Sequence, residues 1–126
     1  MSEFTDLVIP NVISVLVPRA TSLANPSITY KELATELSQK LSRKINPRNL
    51  DYSLGIISDV CKEYNLPLLS TIVINKSTKL PGNGYFSYFF PSEKDNKRPD
   101  RYEKELKRVL ACKSWSSLYK HFDIND

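Results

Sequence analysis

The chain has 126 residues, of which 40% are hydrophobic and 25% charged, so it is long enough to bury one core and typical of a single domain. Its net charge of +4 suits an acidic partner such as nucleic acid but does not by itself indicate one. Two cysteines are too few for a disulfide framework and are not spaced as zinc ligands, which excludes a disulfide-rich secreted fold.

The first predicted helix carries a stripe of apolar residues at near-helical spacing. Thr5 or Asp6 can cap it, Pro10 is tolerated only in the first turn, and Pro18 is expected to shorten or kink it. The predicted core positions are Ile9, Val12, Ile13, Leu16 and Ala20. This apolar stretch is too short and too polar to span a bilayer, and a signal peptide is not recognisable, so we expect a cytoplasmic protein without membrane contact.

The second predicted helix begins with a capping box. Ile28 is the preceding hydrophobic residue, Thr29 is the N-cap and Glu32 follows three positions later. Its predicted buried face is Leu33, Ala34, Leu37 and Leu41. Lys44 follows Lys40 and Arg43 at the end of the helix, where the helix dipole favours positive charge.

The third predicted helix has Asn46 as N-cap and Pro47 at its first position. The predicted inward positions are Leu50, Leu54, Ile57, Cys61 and Tyr64, and the opposite face carries Arg48, Tyr52, Gly55, Asp59 and Lys62. Gly55 in mid-helix costs about 1 kcal/mol relative to alanine. We expect either a close approach of another backbone or a phosphate there, or a tight helix crossing.

The next segment predicts a β-hairpin. The β-branched run Leu69 to Ile74 reads as a strand, and the aromatic run Tyr85 to Phe90 is its natural partner. The loop between them contains Lys76 and Lys79, which either grip a phosphate backbone as a wing or belong to a plain solvated loop.

The C-terminal part predicts helices that complete the core. Ser92 to Pro99 reads as a polar connector. The helix after it has Tyr102, Leu106, Val109 and Leu110 inside and a charged outer face of Lys104, Lys107, Arg108, Glu103 and Glu105, and Trp115, Leu118, Tyr119 and Phe122 form a short last helix. The predicted fold is therefore a single α+β domain, residues 1–126, with a winged helix-turn-helix core over about 5–90 and a helical extension over about 99–124.

The series Ile28 to Ala34, Asn46 to Leu50, Leu66 to Leu69 and the loop to Tyr85 resembles the winged-helix DNA-binding domain of alkylguanine-DNA alkyltransferases and alkyltransferase-like proteins over about 60 residues. The resemblance implies that Tyr30 presses on the phosphate of a flipped nucleotide. It implies that Arg48 fills the vacated stack.

The family's catalytic Pro-Cys-His-Arg box is missing, because this chain reads Val73-Ile74-Asn75-Lys76 at that position. Cys61 lies on a predicted inward face and His121 lies near the C-terminus, where a surface or helix-end position is expected, so no Cys–His pair suggests an activated nucleophile. The sequence also carries no phosphate-binding glycine loop, no zinc spacing and no serine elbow. We therefore expect a protein that is not an enzyme and uses no metal or cofactor.

The first functional hypothesis is a module that binds double-stranded DNA. Arg48, Asn49 and Tyr52 would contact the groove, and Tyr30 the backbone. The remaining predicted contacts are the basic side chains Lys44, Lys62, Lys76 and Lys79. Acidic side chains on the same helix, Asp51, Asp59 and Glu63, oppose this hypothesis because they would face phosphates.

Two alternatives stay open. One is a small phage or mobile-element protein that inhibits a nuclease or another DNA-processing protein through protein contacts. Its surface, or that of a homodimer, would centre on the aromatic run Tyr85 to Phe90 if that run is exposed rather than covered by the C-terminal helices. The other is a sensor of modified or flipped bases that performs no chemistry.

Overall fold

The computed structural model describes residues 3–22 and 24–125, and there the chain folds into helices and a small sheet, an α+β arrangement. The elements in chain order are α1 (Glu3–Ala20), β1 (Ile28–Thr29), α2 (Tyr30–Leu41), a 3₁₀ turn (Pro47–Asn49), α3 (Leu50–Glu63), a 3₁₀ turn (Leu69–Ile72), β2 (Val73–Ile74), α4 (Asn83–Phe89), a 3₁₀ turn (Asp95–Lys97), α5 (Arg98–Ala111) and α6 (Ser116–His121). Within these residues no helix is both long enough and apolar enough to cross a bilayer.

Helix α1 is longer than the sequence predicts. It begins at Glu3, so Thr5 is a buried residue inside the helix instead of its cap, and it continues through Pro10 and Pro18 to Ala20. The predicted core positions, Ile9, Val12, Ile13, Leu16 and Ala20, are all buried. The helix is not shortened, because burying this apolar stripe stabilises the fold by more than the loss of the two backbone hydrogen bonds at the prolines destabilises it.

The capping box at the start of α2 is confirmed. The Thr29 hydroxyl accepts from the backbone N–H of Glu32 at 3.1 Å, and the Glu32 carboxylate accepts from the N–H of Thr29 at 2.9 Å. The predicted face is also confirmed for Leu33, Ala34 and Leu37, which are buried. Hydrogen bonding of the Glu32 carboxyl to the Thr29 backbone, and then to the Thr29 side chain, lowers the pKa of this carboxyl below its usual 4.5.

This lowered pKa predicts a small acid-dependent stability term. Because the folded-state pKa of Glu32 is depressed, its contribution is present above pH 4.5 and is lost as the pH falls through the folded-state value. We expect wild type to have a higher melting temperature than Glu32→Gln at about pH 7, and we expect this difference to shrink as the pH falls below 4.5. Thermal denaturation of both chains followed by circular dichroism tests this, and a difference that does not change with pH would contradict it.

The third helix starts as predicted, except that a 3₁₀ turn precedes it. The Asn46 side chain accepts from the N–H of Arg48 at 3.0 Å, Pro47 opens the turn, and α3 begins at Leu50. The predicted inward residues Leu50, Leu54, Ile57 and Cys61 are buried. The prediction for Tyr64 was wrong, since Tyr64 is the residue that ends the helix and it is 45% exposed.

The predicted β-hairpin was wrong. Residues Leu69–Ile72 form a 3₁₀ turn, and the short strand after them, Val73–Ile74, pairs in parallel with Ile28–Thr29. Parallel strands need a crossover connection, which α2 and α3 provide. The aromatic run predicted as the second strand lies mostly in helix α4, Asn83–Phe89. A winged helix is therefore not confirmed.

The C-terminal helices join the same core as the N-terminal ones. Trp115 and Leu118 are buried within one continuous apolar cluster that also includes residues of α1, α2 and α3. Helix α5 starts at Arg98, inside the segment predicted to be a connector. The prediction for Glu105 was wrong, because it is buried, accepts from the N–H of Leu68 at 2.8 Å and pairs with Arg108 at 2.7 Å.

Candidate nucleic-acid interface

A groove that we call the basic groove lies between the outer face of α2 and the turn that follows it. Three cationic side chains line it, Lys31, Arg43 and Lys44, together with the polar side chains Thr35 and Gln39. Its volume is about 720 Å³, and none of the lining residues in the described part of the chain is acidic. A polyanion is the partner that such a surface attracts.

The turn that carries two of these cations is fixed by a single serine. The Ser38 hydroxyl donates to the carbonyl of Ala34 at 2.7 Å and accepts from the N–H of Ile45 at 2.9 Å. Ser42 ends the helix in the left-handed conformation, with φ of 52°. The Arg43 guanidinium also lies over the Phe4 ring, 5.6 Å from its centroid. The backbone that carries Arg43 and Lys44 is therefore held in a defined conformation.

A second concave site, which we call the aromatic pocket, lies between α3 and α4. Its volume is about 300 Å³, the lower end of the range of ligand sites. The aromatic residues that line it are Tyr30, Tyr52, Tyr85, Tyr88 and Phe89. The site is thus large enough for one flat ring system.

Two glycines keep the aromatic pocket open. Gly55 in α3 and Gly84 in α4 both line it, and a Cβ built on either would meet no heavy atom within 4 Å. The expectation that Gly55 marks a tight helix crossing was therefore wrong, because nothing packs against it among the described residues. A side chain at either position would enter the pocket.

Replacing Gly55 with alanine is expected to stabilise the fold. The methyl group enters open space, and alanine is favoured over glycine in a helix interior by about 1 kcal/mol. We expect the melting temperature to rise by roughly 4 °C in thermal denaturation. Gly82→Ala is the control, because the added methyl group would not enter open space there but would lie 3.3 Å from the Tyr30 hydroxyl. A fall in stability for Gly55→Ala would show that the site is closed.

Polar groups at the rim of the aromatic pocket are held by neighbouring atoms. The Tyr30 hydroxyl accepts from the N–H of Gly82 at 2.9 Å, and its burial raises its pKa. The Tyr88 hydroxyl donates to the Asp59 carboxylate at 3.1 Å, which raises the pKa of Tyr88. Partial burial also raises the pKa of the Asp51 carboxyl. The two carboxylates that line the pocket are thus acceptors next to aromatic rings.

A smaller cationic site adjoins the aromatic pocket. It has a volume of about 250 Å³ and contains Lys62 and Arg108, and Phe89 lines both sites. The Lys62 ammonium lies 5.9 Å from the centroid of the Phe89 ring. The buried Glu105 carboxylate holds Arg108 in place.

The predicted DNA contacts fall into separate groups. Tyr30 and Tyr52 line the aromatic pocket, Lys44 lies in the basic groove and Lys62 in the smaller cationic site. Arg48 and Asn49 are exposed in the 3₁₀ turn, between Pro47, which lines the groove, and Asp51, which lines the pocket.

Lys76 and Lys79 lie in the loop over residues 75–82, which is not the tip of a hairpin. The N–H of Asn75 donates to the carbonyl of Leu80 at 2.8 Å and closes the loop. Lys76 is close enough to Glu32 to help lower its pKa, and Lys79 adopts a left-handed conformation with φ of 63°. Neither lysine lines the basic groove or the aromatic pocket.

Sequence reasoning did not assign the second wall of the aromatic pocket or the role of Lys31. Tyr85, Tyr88 and Phe89 were placed in a strand, and their exposure could not be read from the sequence. The useful signal was Gly55, a costly residue in mid-helix on the face that carries Tyr52 and Asp59.

Groups that could perform covalent or metal chemistry are not assembled at this site. Burial raises the pKa of the Cys61 thiol to about 12, which keeps it protonated, and Cys112 is half-buried. His121 lies at the end of α6, as expected, and shares a hydrogen bond of 3.1 Å with the Tyr64 hydroxyl. In residues 3–22 and 24–125, no group of three or more His, Cys, Asp or Glu side chains could hold a metal.

Comparisons of the chain with protein-family models, with curated proteins and with solved structures give no match. The resemblance to alkyltransferase-like proteins stays a prediction. What the site can bind is therefore inferred from its own residues.

Proposed function

We propose that the protein is a non-enzymatic DNA-binding protein that holds phosphates in the basic groove and an unstacked base in the aromatic pocket. The observation that carries this proposal is the adjacency of the two sites. Tyr30 lines the pocket and Lys31, the next residue, lines the groove. A basic groove beside a set of aromatic rings is the combination with which proteins hold nucleic-acid backbone and bases together.

The basic groove supplies affinity without sequence selectivity. Lys31, Arg43 and Lys44 are exposed or lie at the rim of the groove, so their charges can displace counterions from phosphates. Arg48 and Asn49, exposed in the adjoining 3₁₀ turn, suit contacts to guanine and adenine edges.

The aromatic pocket answers the objection raised by the acidic residues. Asp51 and Asp59 line the pocket, where a carboxylate accepts hydrogen bonds from base amino groups. In this proposal their charges meet the base and not the phosphate backbone. A single aromatic stacking contact contributes about 1–3 kcal/mol per base, which offsets much of the cost of unstacking.

Two further observations support binding without chemistry. Cys61, the cysteine nearest the site in sequence, has a buried and protonated thiol. Of the two positions that the alkyltransferase-like resemblance points to, Tyr30 lines the pocket, and Arg48 is exposed in the turn between Pro47, which lines the groove, and Asp51, which lines the pocket. In this proposal Tyr30 contacts the backbone beside the unstacked base, and Arg48 fills the vacated stack.

The protein-docking alternative has less support. It depends on an exposed aromatic run, but Tyr85 and Phe86 are buried, and Arg98 and Arg101 lie over Phe86 and Phe90 at 4.9 Å. Tyr88, 63% exposed, is the member of the run that offers a large free ring, and it belongs to the pocket.

Fluorescence anisotropy with two duplexes tests the proposal, one fully paired and one with a single unpaired base. We expect wild type to bind the second duplex about tenfold more tightly, because moving an unpaired base out of the duplex breaks no base pair and so costs less energy. Gly55→Leu places an isobutyl group in the pocket and should remove this preference, while Glu63→Leu on the same helix should keep it. Equal wild-type affinity for both duplexes would overturn the base-binding part of the proposal.

A further inference from the structure

The charge of the aromatic pocket restricts what it can hold. Its lining includes five aromatic side chains and two carboxylates, Asp51 and Asp59, and among the described residues no Lys, Arg or His lines it. The faces of aromatic rings carry negative potential and attract cations, most strongly where water is excluded. The two carboxylates would repel an anionic group, and the cations Lys62 and Arg108 lie outside this lining, in the adjoining smaller cationic site.

The two acidic residues that line the pocket lie on either side of Gly55 along α3. Asp51, Gly55 and Asp59 follow one another at intervals of four residues, so they lie on one stripe of α3. The helix rise over eight residues places the backbones of Asp51 and Asp59 about 12 Å apart along the axis, with Gly55 midway between them. A flat ring seated over Gly55 would therefore have a carboxylate towards each end.

The opposite wall contributes aromatic rings from α4 to the lining. In α4, Gly84 and Tyr88 lie four residues apart and both line the pocket. The Tyr88 and Phe89 rings meet edge to face with centroids 4.8 Å apart, and the Tyr88 hydroxyl is held by Asp59. These contacts hold the Tyr88 and Phe89 side chains of the aromatic pocket in place before a ligand enters.

We propose that the aromatic pocket selects a flat organic cation, and that in DNA its ligand is a base made positively charged by methylation at a ring nitrogen. The second half rests on the proposed function, since DNA has to deliver the base. A ring cation combines the stacking area of a base with the charge that the two carboxylates and five aromatic side chains favour. A neutral base of equal size gains the stacking alone.

Calorimetric titration with two isomeric nucleosides tests this inference without DNA. 1-Methyladenosine is protonated and positively charged at neutral pH, whereas its isomer N6-methyladenosine has the same heavy atoms and is neutral. We expect the cationic isomer to bind about tenfold or more tightly than the neutral one. Asp59→Asn keeps an acceptor for Tyr88 but removes a charge, so it should reduce this ratio about threefold or more, and Asp51→Asn should do the same.

Asp100→Asn is the matched control, because Asp100 is an exposed carboxylate in the first turn of α5 outside the pocket lining, and it should leave the ratio unchanged. Equal binding of the two isomers, or no binding of either, overturns the inference whatever the DNA result. Selective binding of 1-methyladenosine by a chain that does not bind DNA supports the cation site and overturns the proposed function.

Discussion

Replacing Lys31, Arg43 and Lys44 together with alanine is expected to weaken the binding of a short DNA duplex about 100-fold at low salt. These are the three cations of the basic groove, and no acidic side chain lines it in the described part of the chain. Each lost phosphate contact should also make the slope of log affinity against log salt less steep by about 0.9. Anisotropy titrations over a range of salt concentrations measure both quantities.

A second triple variant separates the groove from net charge. Lys104→Ala, Lys107→Ala and Lys113→Ala remove the same charge from α5 and the segment after it, outside the lining of the groove. We expect this control to weaken binding no more than a few-fold, through the general field of the protein alone. Equal losses in the two triple variants would show that the groove has no special role.

Replacing Phe86 with alanine is expected to lower the free energy of unfolding by about 3–5 kcal/mol, the usual cost of removing a buried phenyl ring. Phe86 is 2% exposed and packs edge to face with Tyr85. Tyr88→Ala, two residues later, should cost less than about 1 kcal/mol, because Tyr88 is a 63% exposed side chain. Chemical denaturation of both variants measures the difference.

This pair of variants also separates the helix from the hairpin. In a strand, Phe86 and Tyr88 would point to the same face and be buried to a similar degree. In helix α4 they lie about 200° apart, so one is buried and the other is exposed. Similar losses of stability for Phe86→Ala and Tyr88→Ala would therefore contradict the helical structure of α4 and favour the strand that the sequence predicts.

Local signals predicted the first three helices well. The capping box at Thr29 and Glu32 and the cap at Asn46 are short-range interactions, and the structure forms them as the sequence indicates. The apolar stripes of α1, α2 and α3 are buried at nearly all predicted positions, because a stripe at helical spacing has few alternative partners.

The region after α3 could not be predicted from propensity. Aromatic and β-branched residues favour strands, but burial decides their structure when the competing preferences are small. Tyr85 and Phe86 are buried together, and the Tyr85 and Thr71 hydroxyls share a hydrogen bond of 2.8 Å. Neighbouring residues that both enter one core favour a helix over a strand, and only the tertiary fold reveals this.

The candidate site was half visible in the sequence. Tyr30, Tyr52 and Gly55 were recognisable because a capped helix and a mid-helix glycine define their positions. The opposite wall comes from α4, whose placement depends on the parallel pairing of β1 with β2 and on the loop over residues 75–82. Long-range contacts of this kind leave no local pattern.

The most direct test of DNA binding is the salt dependence of wild-type affinity for a duplex that contains one unpaired base. Measured by fluorescence anisotropy, the dissociation constant should be micromolar or lower at low salt. The logarithm of the affinity should fall linearly with the logarithm of the salt concentration, with a slope of about −3 for three phosphate contacts. No binding at micromolar protein and low salt would contradict the account.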